Sequence, residues 1–320
     1  METKQTQSAQ ASKLLVASSP HIRTTDSTQR LMLDVIIAMI PAMVAAVVYF
    51  GFRSLAVIGV SVAAAVAAEA ITQKALKRPI TISDLSAVVT GILLAFNVPS
   101  TMPLWMVAIG AAFAIVVVKQ FFGGLGSNFM NPALAARAML LSSWGSDMSK
   151  FVEPFKPDTI ASATPLTSGQ FPSLGEMFMG QMPGVLGEVS TVALLLGAIY
   201  LVVRGVIRLR IPLTMIGSFC VFMAIFGAIT GEVGIGDLPQ QVLAGGLILG
   251  AFFMATDYAT TPMNAVGQLI FGCGAGLLTA LIRSFGGYPE GVSYAILFMN
   301  VCTPLIDKYV KTKTFGGGKR

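Results

Sequence analysis

Apolar runs long enough to cross a lipid bilayer are the feature that most constrains how this chain folds. A transmembrane helix needs about 20 mostly apolar residues, and ten candidate stretches follow one another between residues 31 and 309. Hydrophobic residues make up 54% of the 320 residues and charged residues 11%, against about 25% charged in soluble domains. A soluble protein of this size cannot hide so much apolar surface, so the sequence predicts an all-α polytopic membrane protein.

The candidate spans differ in length and continuity. The third and fifth are short, and the eighth is interrupted by glycines. The ten stretches are 31–50, 54–76, 84–99, 103–122, 132–144, 188–206, 212–230, 238–256, 264–282 and 291–309. Two polar tails, over 1–30 and 310–320, and one long loop over 145–187 complete the predicted organisation.

The two halves of the apolar region resemble each other in sequence. The run that starts at Gly91 and leads to Pro99 resembles the run that starts at Gly246 and leads to Pro262. Five spans per half is an odd number, so a duplicated half must insert upside down relative to the first. Inverted repeats place a site near the bilayer midplane, on short or interrupted helices. We therefore expect two inverted five-helix repeats, 31–144 and 188–309.

Lysine and arginine are distributed unevenly between the two sides of the predicted spans. Alternation from a cytoplasmic N-terminus puts sixteen of them on the cytoplasmic side and four on the other, with Arg137 inside the fifth span. Positive residues concentrate in cytoplasmic loops, so both termini are predicted to be cytoplasmic and the 145–187 loop extracytoplasmic. The net charge of +6 follows from this bias and does not indicate nucleic-acid binding. The cytoplasmic set is Lys4, Lys13, Arg23, Arg30, Lys74, Lys77, Arg78, Lys119, Arg204, Arg208, Arg210, Lys308, Lys311, Lys313, Lys319 and Arg320, and the opposite set is Arg53, Lys150, Lys156 and Arg283.

Insertion of an Asp or Arg at the centre of a membrane helix costs at least about 2.5–3.5 kcal/mol. Ionisable residues at membrane depth are therefore usually functional. Asp257 closes the interrupted eighth span beside Thr256, and together they offer hard oxygen ligands suited to Na⁺ or to a proton path. The alternative interpretation is a carboxylate that caps the next helix. Glu69, on the Ala-rich second span, is a further candidate for the same path. Most of the other ionisable groups lie near span ends and are expected to be solvated or to cap helices, whereas Arg137 lies inside the fifth span. The other groups are Asp34, Asp84, Lys119, Glu188, Arg283, Glu290 and Asp307.

A glycine-rich segment over 123–132 leads into a helix with an N-terminal proline. Gly124 and Gly126 allow close backbone approach, and a helix N-terminus attracts anions or electron-rich ring edges. Asn128 and Asn131 are three residues apart, so they share a face if the segment is helical, and their amides can bond the polar edge of a heterocycle. The alternative, which the residues alone favour, is a tight turn in which asparagine caps the helix.

The chain carries few residues that hold metals or redox centres. It has three cysteines and one histidine, which exclude a disulfide framework, a four-cysteine zinc site and a multi-histidine haem or metal centre. No metal ligands are predicted. Any electron carrier within this chain must therefore be supplied as a cofactor.

Six segments, taken together and in order, make the chain resemble the D subunits of Rnf ferredoxin:NAD⁺ oxidoreductases, which are related to the B subunit of the Na⁺-translocating NADH:quinone reductase. The segments are 19–21, 84–91, 123–132, 162–166, 253–257 and 288–300. The resemblance implies two inverted five-helix repeats in the cell (inner, cytoplasmic) membrane. It also implies a non-autonomous subunit of a translocating oxidoreductase that relays electrons across the membrane and couples them to cation transport.

The resemblance further implies flavin cofactors. FMN is expected to be joined through its phosphate to the hydroxyl of Thr164, within a motif that includes Asp158, Ser162 and Ala163, on an exposed extracytoplasmic loop. Noncovalent riboflavin is expected near the asparagines of the glycine-rich segment. The implied partners are other Rnf membrane and peripheral subunits, including a second covalent-FMN subunit and iron–sulfur subunits, an extracytoplasmic flavin transferase, and Na⁺ or H⁺.

Other functions stay open at this point. The chain can be a B subunit of the Na⁺-translocating quinone reductase, although its shorter N-terminus favours the Rnf type. It can also be an inverted-repeat ion channel or secondary transporter without a redox role, or a scaffold for redox partners. A passive channel accounts for Asp257 and the broken spans but not for the threonine motif.

Overall fold

The computed structural model describes residues 27–161, 163–188, 190–231, 234–286 and 290–311. Helices dominate these residues, and the one sheet among them is an antiparallel pair, β1 Phe151–Glu153 and β2 Lys156–Ala161. The helices of the first half are α1 Thr28–Phe50, α2 Phe52–Ala75, α3 Ser86–Phe96, α4 Leu104–Phe113, α5 Pro132–Ser143 and α6 Gly145–Met148. Those that follow are α7 Pro165–Ser168, α8 Leu174–Met179, α9 Thr191–Val203, α10 Arg210–Thr230, α11 Leu238–Leu243, α12 Leu247–Leu249, α13 Ala265–Phe285 and α14 Val292–Tyr309.

Each of the ten predicted stretches contains a helix. Four helices, α1, α2, α10 and α13, are long and apolar enough to cross a membrane, and between 22% and 39% of the apolar window in each is buried. Their exposed faces therefore remain for lipid or for other subunits. Shorter apolar helices cover 86–96, 104–120 and 191–203. The prediction of a polytopic, mostly helical membrane protein is confirmed.

Helices α3 and α12 are largely buried inside the bundle. Nine of the eleven residues of α3 are buried, and so is every residue of α12. The predicted eighth span is divided into α11, α12 and a π-helical segment over Gly250–Met254. Gly245 and Gly246 divide it because both adopt left-handed backbone angles, with φ of 68° and 66°. A second π-helical segment, Ala114–Gln120, extends α4, and such segments are frequent at functional sites.

Small residues allow the long helices to pack closely. Gly272 and Gly276 of α13 face Thr214 and Ser218 of α10 so closely that a Cβ on either glycine would overlap them. Helix association in membranes depends on such small-residue contacts, because lipid tails are as apolar as the helices. Gly197 of α9 makes an equivalent approach to the α1 backbone. Close approach of α13 to α10 and of α9 to α1 therefore stabilises the packing of these helices.

The segment over 145–187 is folded and is attached to the end of α1. The hydroxyl of Tyr49 donates to the Met179 carbonyl at 2.8 Å, and the Phe155 amide donates to the Tyr49 carbonyl at 2.8 Å. The rings of Tyr49 and Phe155 also meet edge to face, with centroids 5.0 Å apart. These contacts hold the segment against one end of the bundle.

Candidate functional site

Thr164 lies in the wall of a cavity of about 430 Å³, which we call the outer cavity. Thr164 precedes α7, and its hydroxyl lies 3.1 Å from the hydroxyl of Thr167. Thr167 and Ser149 are exposed, whereas Arg137 is buried. The outer cavity therefore extends from a solvent-exposed rim to a charged group inside the bundle. Its lining includes Arg137, Ser149, Thr164, Thr167, Glu290 and Tyr294.

The expectation that Thr164 is exposed is wrong. Its residue exposure is 5%, and Thr164, Pro165, Glu188 and Ala244 all line one small cavity. Of the other predicted motif residues, Ala163 is half-buried, Asp158 is described only as part of the β2 backbone, and Ser162 lies outside the described residues. The hydroxyl is reachable through the outer cavity instead of from an open loop.

A group of buried charges surrounds the inner end of the outer cavity. Arg137 of α5 forms an ion pair with Glu290 and donates to the Asn97 side-chain oxygen at 2.9 Å. Glu188 is buried within electrostatic range of Arg137 and of Arg283. Arg283 donates to the carbonyls of Gln241, Ala244 and Gly245 at 2.5, 2.9 and 3.3 Å, beside the break before α12.

The expectation that Glu188 is a solvated span-end residue is therefore wrong, since Glu188 is buried, as is Arg137. The position of Arg137 inside an apolar stretch was the signal that could have identified it, because a charge at membrane depth is retained only with partners. No pattern in the sequence pointed to Asn97 or Glu290 as those partners.

A second, smaller cavity of about 100 Å³, the inner cavity, brings several predicted residues together. Asn128, Asn131, Thr256 and Asp257 all line it, together with Lys119. Gly126 does not line it, and Gly124 lines a neighbouring cavity. The structure therefore brings together residues that the sequence analysis assigned to two different roles, and it adds Lys119, Ser86 and Thr90 to them.

The asparagines hold the backbone around the inner cavity. Asn131 caps α5 by accepting from the amides of Ala133 and Leu134 at 3.0 and 3.3 Å, and its own amide donates to the Met254 carbonyl at 3.3 Å. Asn128 donates to the Met130 carbonyl at 3.1 Å. The structural interpretation of these residues, a turn with a capping asparagine, is confirmed.

Asp257 does not cap the next helix, because Asn264 caps α13. The Asp257 carboxylate instead accepts from the Thr260 hydroxyl at 3.2 Å and the Ala259 amide at 3.4 Å, and it interacts with the Asn128 side chain. Thr256 donates to the Phe252 carbonyl at 2.8 Å. Asp257, Thr256 and Asn128 thus bring a carboxylate, a hydroxyl and an amide group to the lining of the inner cavity.

Glu69 belongs to a separate buried network that reaches the inner cavity through Lys119. One Glu69 oxygen accepts from Lys119 and from Gln120, each at 2.7 Å. Lys119 also donates to the Ser86 hydroxyl at 2.6 Å, and Ser86 lines the inner cavity. The other Glu69 oxygen is buried and has no hydrogen-bond partner among the described residues.

Sequence comparison identifies the family of this chain. A profile of the NQR2, RnfD, RnfE family matches residues 15–316. The chain belongs to this family. It is 48% identical over 311 residues to the D subunit of the Na⁺-translocating ferredoxin:NAD⁺ oxidoreductase complex of Acetobacterium woodii, covering 95% of each chain. It is 43% identical over 317 residues to the D subunit of the proton-translocating ferredoxin:NAD⁺ oxidoreductase complex of Clostridium ljungdahlii, covering 94% and 96%.

More distant relatives of this NQR2, RnfD, RnfE family member are also full-length matches. It is 34% identical over 345 residues to the D subunit of the ion-translocating oxidoreductase complex of Pectobacterium atrosepticum, covering 94% of this chain and 98% of the relative. The resemblance that the six ordered segments indicated is confirmed. The relatives differ in the ion that their names give, so family membership does not assign Na⁺ or H⁺ to this chain.

The two cavities of this family member differ in their fit to a flavin. Ligand pockets usually measure about 300–1,000 Å³, and the outer cavity, at about 430 Å³, lies in that range. It also holds a threonine hydroxyl and a guanidinium, the group that best complements a phosphate. The inner cavity has suitable polar groups, but at about 100 Å³ it is too small for a whole flavin ring system.

Proposed function

We propose that this chain is a membrane subunit of an ion-translocating ferredoxin:NAD⁺ oxidoreductase complex, and that FMN is attached to Thr164. The observation that carries the proposal is the placement of the Thr164 hydroxyl and Arg137 in one cavity of about 430 Å³. A flavin supplies one- and two-electron transfer, which none of this chain's side chains supports. Family membership and the names of its relatives support the same function.

The residues of the outer cavity have different roles in binding FMN. The Thr164 hydroxyl is the acceptor for the phosphate, and Thr167, 3.1 Å away, orients it. Arg137 supplies the positive charge, and the buried part of the lining excludes water from the inner end. The exposed rim at Ser149 and Thr167 leaves the hydroxyl accessible to a flavin transferase.

The proposal includes the topology that the charge bias predicts. Ten spans form two inverted five-helix repeats, both termini are cytoplasmic, and the Thr164 segment faces the extracytoplasmic side. The short, interrupted helices α3 and α12, one in each half, are the elements that inverted repeats place at a midplane site. The described chain has no large domain outside its helices, so ferredoxin and NAD⁺ bind other subunits, among them iron–sulfur subunits and a second covalent-FMN subunit.

A second flavin, riboflavin, is proposed to bind with its polar edge at the inner cavity. Asn128 and Asn131 supply the polar groups for its edge, but the ring needs space beyond the cavity of about 100 Å³. Movement of the glycine-rich segment or a neighbouring subunit must provide that space. No electron-transfer step is assigned to this site.

Cation transport is proposed to involve Asp257, Thr256 and Glu69. Asp257 and Thr256 present oxygens to the inner cavity, and Glu69 is connected to the same cavity through Lys119 and Ser86. The free energies are compatible with coupling: an electron falling through about 100 mV releases the ~2.3 kcal/mol that one charge needs to cross a 100 mV potential.

Fluorescence of the denatured band on a gel tests the attachment site. The chain is produced together with its flavin transferase, as wild type and as Thr164→Ala and Ser168→Ala. We expect a fluorescent band for wild type and for Ser168→Ala, and none for Thr164→Ala. Ser168→Ala is the matched control, because it removes a nearby hydroxyl that accepts from the Gln170 amide and does not contact Thr164. A wild-type chain without flavin, or fluorescence that persists in Thr164→Ala, contradicts the proposal.

The sidedness is tested by labelling a single cysteine in a background without Cys220, Cys273 and Cys302. Ser168 is exposed and lies four residues after Thr164, so Ser168→Cys places a thiol at the proposed extracytoplasmic surface. A membrane-impermeant maleimide is expected to label it in intact cells. Labelling only after the cells are opened contradicts the topology.

A further inference from the structure

Helix α5 connects the two cavities. Its capping residue Asn131 lines the inner cavity, and Arg137 lines the outer cavity six residues later. At about 1.5 Å per residue, the two positions are about 9 Å apart along the helix. Helix α5 therefore contributes one lining residue to each cavity, Asn131 to the inner one and Arg137 to the outer one.

The guanidinium of Arg137 is held in a defined orientation. Asn97 donates through its amide to the Leu93 carbonyl at 2.6 Å, which leaves its oxygen to accept from Arg137 at 2.9 Å. The same Asn97 amide contacts the Met254 sulfur at 3.6 Å, and Met254 accepts from Asn131 at the inner cavity. Arg137 thus cannot turn away from the outer cavity without breaking its bond to Asn97 and its ion pair with Glu290.

The charges around Arg137 balance. Arg137 and Glu290 both line the outer cavity, and Glu188 interacts electrostatically with Arg137 and with Arg283. Arg137 and Glu188 are almost fully buried, with 7% and 5% exposure. In a low-dielectric site, gain or loss of one of these charges changes the potential in the cavity much more than it does at a water-exposed surface.

We propose that Arg137 is the positive charge that sets the reduction potential of the flavin on Thr164, and that Glu290 opposes it. This inference rests on the proposed attachment of FMN. A flavin held at Thr164 would supply two-electron chemistry: with two electrons from the iron–sulfur donors of the complex and one proton from solvent, its ring would carry one negative charge. Arg137 stabilises that charge and raises the potential, whereas the Glu290 carboxylate destabilises it and lowers the potential.

A reductive titration of the purified complex with dithionite measures the effect. The Thr164→Ala complex is titrated in parallel, and its trace is subtracted so that only the flavin on Thr164 is followed. At the wild-type midpoint, Arg137→Gln is expected to raise the ratio of oxidised to reduced flavin at least tenfold, a shift of about 30 mV for a two-electron couple. Glu290→Gln is expected to lower that ratio at least tenfold.

Two further variants separate charge from structure. Arg137→Lys keeps the charge and is expected to keep the ratio within about threefold of wild type. Lys150→Gln removes the same charge from a side chain that is 52% exposed, next to Ser149 on the cavity rim, and is expected to change nothing because water screens it. A purely structural role of Arg137 does not produce opposite shifts in Arg137→Gln and Glu290→Gln.

The outcomes distinguish this inference from the proposed function. A fluorescent wild-type band that Thr164→Ala abolishes, together with unchanged potentials or shifts in one direction in both charge variants, overturns the role of Arg137 alone. If Arg137→Gln does not assemble, the Glu290→Gln shift decides, and its absence overturns the inference. A wild-type chain without covalent flavin overturns both.

Discussion

Lys119 donates to the Glu69 carboxylate at 2.7 Å, and the two side chains are 3% and 1% exposed. They come from the π-helical segment after α4 and from α2, fifty residues apart. A buried ion pair offsets its desolvation cost only with good geometry and additional hydrogen bonds. Ser86 accepts from Lys119, and Gln73 and Gln120 donate to the Glu69 oxygen that Lys119 binds, whereas the other Glu69 oxygen has no partner among the described residues. The charge that sequence alone assigned to a possible ion path is therefore also a structural element of the first half.

Lys119→Met is expected to destabilise the subunit by about 3–5 kcal/mol, because it leaves the Glu69 carboxylate buried and unpaired. The thermal denaturation midpoint of the purified complex, compared with wild type in the same detergent, measures the loss. Lys74→Met, at an exposed position of α2, is the control and should stay within about 0.5 kcal/mol. The double variant Lys119→Met, Glu69→Gln should recover much of the stability. No recovery contradicts the pairing.

Asp257→Asn is expected to lower ferredoxin-dependent ion uptake into inverted membrane vesicles at least tenfold. The amide keeps an oxygen for the Thr260 hydroxyl but removes the charge at the inner cavity. The covalent flavin signal on a gel should not change. Asp147→Asn, which removes a carboxylate from the surface pair with Lys150, should transport at the wild-type rate. Wild-type uptake by Asp257→Asn excludes Asp257 from the ion path.

Gly276→Ala is expected to cost about 1–3 kcal/mol, because the new methyl group overlaps Ser218 and the α10 backbone. Gly217→Ala provides a matched control on α10, since nothing lies within 4 Å of its Cβ position. There, the smaller backbone entropy of the unfolded chain should stabilise the protein by about 0.4–1 kcal/mol. Opposite shifts in the thermal midpoint support the close contact of α10 and α13, and equal shifts rule it out.

Thr167→Val is expected to slow flavin transfer to Thr164 by about 2- to 10-fold, equivalent to one hydrogen bond of about 0.5–1.5 kcal/mol. The two hydroxyls lie 3.1 Å apart, so loss of one leaves the acceptor less well oriented. A time course of band fluorescence with purified transferase gives the rate. Ser168→Ala is the control, because the Ser168 hydroxyl contacts the Gln170 amide instead. Equal rates for wild type and Thr167→Val show that Thr167 has no role in orienting the acceptor.

The sequence predicted local features well because their causes are local. Apolar runs located a helix in each of the ten stretches, and the asparagine before Pro132 forms the cap that its type and position indicated. The carboxylate at position 257 was located correctly beside the interrupted helix, although it bonds the turn after it and not the next helix. Thr164 was expected to be exposed, and only the tertiary structure shows that it is buried.

By itself, the sequence determined that this chain forms membrane helices, roughly where they lie along the chain, and which polar residues lie near the interruptions. Hydropathy, capping and turn chemistry depend on neighbours within a few residues. Only the tertiary structure decided that Lys119 pairs with Glu69, that Arg137 meets Asn97 and Glu290, and that α5 connects two cavities. These partners lie far apart along the chain. A buried charge needs a partner because its burial is costly, but the sequence shows no periodic pattern that identifies which residue the partner is.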